Sequence, residues 1–404
     1  MEVFIARQPI FDAKQTVYGY ELLYRSRDEN FYSQVDGDQA SLSVIRNVLL
    51  VIGAQKISGG GKAFVNFTRN LLINGAASLL PKEIGVVEIL EDVEPDPKLI
   101  KILSSLRSQG YPLALDDFIL RGNEDNPFLE IVDIIKVDFR QTDGKEREEI
   151  AQRFSRGNRV KLLAEKTETR EEFNEALEMG YTLFQGYFFC KPVIMARRDI
   201  EGYKMNHLGI LKELSADSPN FKAIQKLIER DPSLTYKLLK YINSAYFGRH
   251  REITSIKQSL DLLGEYEIRR WASIAVLMEL GKDHPQELLR VSLLRARLSE
   301  MLAGMLGFGG QRSAFFLMGL LSCMDALLER PMEEILEDIP IAAQAKAALL
   351  GERNSYRDVF DLVVSYERAD WAAVPALASV LGIVDGEMSK IYSESIEWVD
   401  GAFE

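Results

Sequence analysis

The sequence predicts an α/β barrel followed by an all-α half, and two observations carry that prediction. Up to about residue 195, short apolar runs alternate with helical stretches; from about Leu208 the apolar spacing is helical throughout. At 404 residues the chain has the length of two domains, and an apolar share of 47% supplies ordinary cores.

In chain order, the strand candidates are Val3–Ala6, Val17–Tyr24, Ala63–Phe67, Val86–Leu90, Pro112–Leu115, Ile134–Val137, Val160–Ala164 and Thr182–Phe189. Helical patterns separate most of them, among them Gln39–Ile52, Pro97–Gln109 and Arg170–Met179. Repeated strand–helix–strand order predicts a parallel sheet with helices outside it. About eight strands in about 195 residues predict that the sheet closes as a modified, TIM-like (β/α)8 barrel. The first connection differs. Gln8–Gln15 is too short for a helical crossover, so the first two runs are expected to form an antiparallel hairpin.

Helical spacing then covers Phe221–Arg230, Pro232–Asn243, Ile256–Leu263, Glu267–Leu280 and Gln286–Leu306. Further helices fit Ser313–Glu329, Ile341–Leu350, Tyr356–Tyr366 and Val374–Leu381. A linker at Ile194–Asn206, after Pro192, gives domains 1–200 and 201–404.

Composition narrows the functional classes. The net charge is −12, from 61 acidic and 49 basic residues, which argues against a duplex DNA or RNA binder. A small anionic ligand remains compatible, because bound cations invert the local sign. The two cysteines, Cys190 and Cys323, form no CxxC pair, which suits a reducing compartment. Glu2 and Arg7 interrupt any secretory pattern at the N-terminus. The most apolar helical run, Phe315–Leu328, contains Asp325 and is too short for a bilayer core of roughly 30 Å. A soluble cytoplasmic protein without a membrane partner is expected.

In a (β/α) barrel, chemistry sits at the C-terminal ends of the strands. Those ends carry Glu21, Asn66, Glu88, Asp116 and Asp117, Lys136 and Asp138, Glu165, and Gln185, with Arg25 further along the second strand. Any one such carboxylate is ordinarily a solvated loop residue or a helix cap. The set is informative because its members fall at the same end of successive strands. Gathering so many carboxylates is costly without cations, and hard oxygen donors suit Mg²⁺, Mn²⁺ or Ca²⁺. Two such metals would clamp the attacking and leaving oxygens of a phosphodiester.

The motifs resemble the EAL family. Glu21-Leu22-Leu23-Tyr24-Arg25 is similar to its ExLxR signature. Phe-Val-Asn66-Phe, Val-Glu88-Ile-Leu-Glu91, Leu-Asp116-Asp117-Phe, Lys136-Val-Asp138, Ala-Glu165-Lys-Thr-Glu168 and Gln185-Gly-Tyr-Phe follow in the family's order. The opening Ile-Ala-Arg-Gln-Pro-Ile-Phe-Asp at 5–12 resembles the subgroup that pairs a divergent EAL domain with an HDOD domain.

The resemblance implies hydrolysis of cyclic di-GMP to linear pGpG with two Mg²⁺ or Mn²⁺ ions, and inhibition by Ca²⁺. It implies one metal on Glu21, Asn66, Glu88 and Asp116, and the other on Asp116, Asp117 and Glu165. Lys136 would position or activate the attacking water, with Glu165 and Gln185 in the catalytic set and Glu91 anchoring the loop after Asp117. Arg25, Leu23 and Gln8 would meet substrate.

Two departures bear on activity. The Gly-rich, Ser-ending loop of active members is replaced by Ile119-Leu-Arg-Gly-Asn-Glu-Asp-Asn-Pro127, and Ala-Glu-Gly-Val-Glu becomes Ala-Glu165-Lys166-Thr167-Glu168. Related barrels dimerise through that loop, which leaves a homodimer open here.

In the second half, Asp231–Gly248, Ile253–Gly264 and Glu267–Trp271 resemble the HDOD core. Such domains lack the His-Asp ligands of their phosphohydrolase relatives. This chain has only His207, His250 and His284, none followed by Asp, so a second metal enzyme is not expected. The resemblance implies a protein-interaction module whose partner the sequence does not name. Arg249, Arg251, Arg269 and Arg270 are candidates for an acidic partner surface or simply a solvated face. Three functions fit: a regulated cyclic-di-GMP phosphodiesterase, a non-catalytic receptor, and a scaffold.

Overall fold

The computed structural model describes residues 3–26, 61–120, 126–155, 159–190, 202–215, 220–243, 253, 255–339, 341–384 and 386–403, and the elements are numbered within them. The expected helix at 39–52, residues 121–125 of the loop, Arg249, His250 and Arg251 lie outside the described residues.

Eight strands form a closed barrel in sequence order: β1 Val3–Asp12, β2 Val17–Ser26, β3 Lys62–Phe67, β4 Gly85–Ile89, β5 Leu113–Leu115, β6 Ile134–Asp138, β7 Lys161–Glu165 and β8 Leu183–Gln185. β2 to β8 are mutually parallel, while β1 pairs antiparallel with both β2 and β8 and so closes the ring. The expected hairpin is present, with a longer first strand and a tighter turn than the sequence suggested. The Asp12 carboxylate accepts from the Lys14 and Thr16 amides at 2.8 and 2.9 Å, and this holds the turn to a few residues.

β8 is shorter than the apolar run Thr182–Phe189. Gly186 ends it with φ +147°, and a short 3-10 turn at Phe188–Cys190 follows. A Cβ on Gly186 would lie 1.9 Å from the Thr167 carbonyl oxygen, so the close crossing of these two strand ends requires glycine.

Helices among the described residues of this unit are α1 Arg69–Ile73, α2 Pro97–Ser108, α3 Gly144–Phe154 and α4 Arg170–Met179. Their starts are fixed by side-chain caps: Thr68, Asp96 before Pro97, Asp143, and a reciprocal Thr169–Glu172 capping box.

The barrel interior is layered. Ile10, Phe64, Val86, Ala114, Ile134, Leu163 and Leu183, all at most 2% exposed, form one apolar cluster inside it. Each fully buried large side chain of this kind contributes about 1.5–3 kcal/mol.

The second half supplies α5 Gly202–Ser215, α6 Phe221–Glu229, α7 Pro232–Ile242, α8 Ile256–Leu280, α9 Gln286–Met305, α10 Arg312–Leu321, α11 Met324–Leu328, α12 Met332–Asp338, α13 Ala343–Leu349, α14 Ser355–Glu367, α15 Val374–Leu381 and α16 Glu387–Gly401. The two helices expected around Gly264 meet within α8 at that glycine, whose backbone is non-helical (φ 75°, ψ 167°). The single helix expected over 313–329 is two, separated by Ser322 and Cys323, where the Ser322 hydroxyl bonds back to the Gly319 carbonyl at 2.7 Å. No helix among the described residues is long and apolar enough to cross a membrane.

Two compact units divide the chain: Met1–Lys191 together with Ser365–Glu404, and Pro192–Val364. The last forty residues, which helical rhythm groups with the second half, thus lie with the barrel.

Candidate functional site

Along a strand, residues two apart share a face. Two steps on from each member of the apolar layer, toward the C-terminal ends of β3 to β8, stand Asn66, Glu88, Asp116, Lys136, Glu165 and Gln185. On the antiparallel β1 the same step runs backward, from Ile10 to Gln8, and Gln8 is paired with Glu21 of β2. One polar tier therefore caps one apolar tier, and the strand period alone puts these side chains together.

Lys136 is the centre of the tier. Its side chain is 1% exposed, and its ammonium lies 2.8 Å from Asp116, 2.8 Å from Glu165 and 3.4 Å from Glu21, with a fourth contact to Glu88. Glu21 also accepts from Asn66 Nδ2 at 3.2 Å and from Gln185 Nε2 at 2.7 Å. Five of the eight strands thus bring a carboxylate or an ammonium to one point.

Charge is unbalanced there. Burial pushes the Glu88 and Glu165 carboxyls well above the usual range; Lys136 opposes this, and the neighbouring carboxylates, Asp116 and Glu21 among them, reinforce it. Burial works against a charged Lys136, but Asp116, Glu165, Glu21 and Glu88 outweigh it and hold the ammonium well above its ordinary pKa.

The oxygens that remain test the fit to a cation. Asn66 Oδ1, Glu88 Oε2, Glu165 Oε2 and Gln185 Oε1 are buried without a hydrogen-bond partner. Buried polar atoms are costly when unsatisfied; the Asn66 and Gln185 oxygens are acceptors only, and the two glutamate oxygens accept whenever their carboxyls are ionised. Carboxylate oxygens of Asp116, Asp117 and Glu165 lie within 4.8 Å of one another, close enough to share an ion. Hard oxygen donors with no competing sulfur suit Mg²⁺, Mn²⁺ or Ca²⁺.

At the strand ends two non-glycine residues take left-handed backbone, Asp117 (φ 39°) and Lys166 (φ 54°). Lys166 stands where the family motif has glycine. Its ammonium lies 2.5 Å from Asp138 and 3.8 Å from Asp117. Burial raises the Asp117 pKa, as does Asp116, while Lys166 lowers it and a hydrogen bond with Glu165 adds to the lowering. Asp138 is itself 3% exposed and held low against its burial by Lys166, Gln141 and the Arg140 amide.

The other expected residues are placed as follows. Glu91 lies beyond β4, exposed, with its pKa raised by partial burial and by Asp116 and Asp117. Leu23 is half-buried on β2 opposite Ala6. Arg25 pairs in register with Phe4, and its side chain lies outside the described residues. In the altered loop, Leu120 is buried and its amide donates to Glu146 Oε1 at 3.0 Å. Sequence reasoning missed Thr167, fully buried, whose amide and hydroxyl both donate to the Gln185 carbonyl at 3.0 and 2.9 Å and fix the end of β8. The lysine in place of glycine at 166 was the signal for the second ion-pair cluster.

The EAL domain family matches residues 43–192 and the HDOD domain family residues 206–349. Glu21 and Gln8 precede the first match and are brought into the site by barrel closure. The uncharacterized protein YuxH of Bacillus subtilis (strain 168) is 40% identical over 406 residues, covering 98% of both chains. Cyclic di-GMP phosphodiesterase CdgJ of Vibrio cholerae serotype O1 is 33% identical over 396 residues, covering 98% of this chain and 91% of that one. The solved YkuI protein of Bacillus subtilis, with an EAL domain, in complex with cyclic di-GMP and calcium, is 20% identical; the match covers 65% of this chain and 72% of that chain, with a TM-score of 0.40.

Proposed function

Because the chain belongs to the family of proteins that join an EAL domain to an HDOD domain, we propose that it acts in cyclic-di-GMP signalling as a metal-dependent phosphodiesterase, opening cyclic di-GMP to linear pGpG. The observation that carries this reading is the polar tier: Glu21, Asn66, Glu88, Asp116 and Glu165, from five strands, meet around one point with buried acceptor oxygens to spare.

Glu21, Asn66, Glu88 and Asp116 would hold one divalent ion, and Asp116, Asp117 and Glu165 the other. Mg²⁺ or Mn²⁺ held there would supply Lewis acidity toward a phosphoryl oxygen and lower the pKa of a bound water, and Ca²⁺ would be the inhibitory substitute. The chain's own residues do the rest. Lys136, whose ammonium lies among Glu21, Asp116 and Glu165, would position or activate the attacking water. Gln185 is fixed through its amide nitrogen by Glu21, which leaves its carbonyl oxygen to accept from a water. Arg25, Leu23 and Gln8 lie on the hairpin β1–β2 and form the substrate side, with Arg25 for a phosphate. Glu91 supports the loop after Asp117.

The helical unit is the regulatory, protein-interacting module, and the chain works in the cytoplasm without a duplex nucleic acid or membrane partner. Homodimerisation is compatible with this reading. A second reading, a receptor that binds cyclic di-GMP without cleaving it, is favoured by the altered loop, where Leu120 is tied to Glu146 just past Asp117.

The test is chromatographic: the full chain with cyclic di-GMP and Mn²⁺ or Mg²⁺, beside Glu21→Gln. Formation of pGpG by the wild type and its loss in the variant supports the enzyme. Calorimetric binding without product selects the receptor, and neither binding nor product rejects both.

A further inference from the structure

The C-terminal segment reaches the polar tier. α16 packs on β1, where Asp400 pairs with the buried Arg7 at 3.3 Å and the Tyr392 hydroxyl accepts from the Arg7 amide at 3.3 Å. The Arg7 guanidinium also lies 4.5 Å from the Tyr20 ring centre, which fixes it on the outer face of the hairpin. At the other end of the segment, the Glu367 carbonyl accepts from the Tyr187 hydroxyl at 3.2 Å, and the Arg368 guanidinium covers the Tyr187 ring at 4.8 Å. Between these anchors, the Arg368 carbonyl accepts from Gln8 Nε2 at 2.9 Å.

That last bond begins a chain of defined polarity. Gln8 Oε1 accepts from Gln185 Nε2 at 3.2 Å, and the same nitrogen donates to Glu21 Oε2 at 2.7 Å. Both ends of the chain, a peptide carbonyl and a carboxylate, accept only. With its nitrogen committed to Arg368, Gln8 can offer Gln185 only oxygen. Gln185 must then present its nitrogen to both Gln8 and Glu21, which leaves its own oxygen buried and unpartnered at the site. Removing the Arg368 carbonyl frees Gln8 to turn over and set its NH2 against the Gln185 NH2, a donor–donor clash that works against the Gln185–Glu21 bond.

We propose that residues 365–404 form a strap whose Arg368 carbonyl, acting through Gln8, supports the hydrogen bond from Gln185 to Glu21, and so makes Gln8 and the strap positioning elements of the barrel site. This rests on the phosphodiesterase reading for its consequence and on the hydrogen-bond chain for its existence. The boundary between the two compact units falls inside α14, at Val364 and Ser365, so the strap follows directly in sequence from the helical unit.

The test uses the full chain with Gln8→Met, which keeps length and removes both hydrogen bonds, and with Tyr392→Phe plus Asp400→Asn, which loosen the strap at its outer anchors. Mn²⁺ affinity is read by calorimetry without nucleotide, kcat and KM with cyclic di-GMP, and amide exchange over 183–187 and 365–401. Expected for Gln8→Met is a loss of Mn²⁺ affinity of about tenfold. For the anchor pair the loss is about threefold, with kcat reduced more than KM is raised. Faster exchange of the strap with unchanged Mn²⁺ affinity and kcat overturns the proposal and leaves the strap a cover. A wild type that neither binds Mn²⁺ nor turns over rejects the phosphodiesterase reading instead. The strap is then decided by exchange alone: faster exchange at 183–187 in both variants supports it, and unchanged exchange rejects it. If the anchor pair fails to fold, Tyr187→Phe loosens the Glu367 end with the same expected outcomes.

Discussion

Replacing Lys136 by methionine removes the one cation at the centre of the tier while filling nearly the same volume. The ammonium it deletes is 1% exposed and touches Glu21, Glu88, Asp116 and Glu165. Stripping one partner from a buried ion pair costs about 3–5 kcal/mol, because the remaining charge is left uncompensated. Here four carboxylates are left, so the upper part of that range applies, reduced by proton uptake at Glu88 and Glu165, whose pKa values burial already raises. For a domain of this size 1 kcal/mol corresponds to about 2–4 °C in Tm. The metal-free variant should therefore melt about 10 °C or more below the wild type in chelator. Divalent ions supply the missing charge: at one hundred times Kd they restore about 2.7 kcal/mol. The assay is a barrel-unit melt in EDTA and then in excess Mn²⁺, with turnover measured alongside. A variant as stable as the wild type in EDTA, with no larger response to Mn²⁺, would refute the claim that the four carboxylates depend on this ammonium.

Other outcomes follow from single residues. Gly186→Ala must push a Cβ into the Thr167 carbonyl and should cost about 3 kcal/mol, read as a lower denaturant midpoint. Lys166→Gly relieves a left-handed non-glycine residue but strips the buried Asp138 of its cation, so the barrel should lose about 1–3 kcal/mol in chemical denaturation while calorimetric Mn²⁺ affinity rises. In the helical unit, Lys237 and Lys282 hold the Glu279 carboxyl below its ordinary pKa against its burial. A lowered folded pKa gives stability that is present above the unfolded value, near 4.3, and lost as pH falls through the folded one. Glu279→Gln should thus cost about 1 kcal/mol at pH 7, the lysines being partly exposed, and progressively less as pH falls from the unfolded value through the lowered folded one, in paired chemical denaturation curves.

Much of the barrel was legible because its two periods are local. Alternating strands and helices predict closure, and the two-residue step from Phe64 to Asn66, or from Ile134 to Lys136, predicts the tier. Long-range choices were not legible. The period of α16 marks a helix but does not say that it covers β1, because Tyr392 and Asp400 find Arg7 across nearly the whole chain. The end of β8 inside an unbroken apolar run depends on one close approach between Gly186 and Thr167. The burial of Lys136 among carboxylates follows only once the strands are in register. Lys166 shows how a motif departure is accommodated: its left-handed backbone is held by Asp138, where a glycine would need no support.

Anomalous diffraction from crystals of the full chain soaked in Mn²⁺ tests the central claim most directly. The account predicts a manganese peak in bonding contact with Glu21, Asn66, Glu88 and Asp116, and Lys136 withdrawn from at least one carboxylate. Absence of any peak there, with the ammonium still seated among all four, would contradict it.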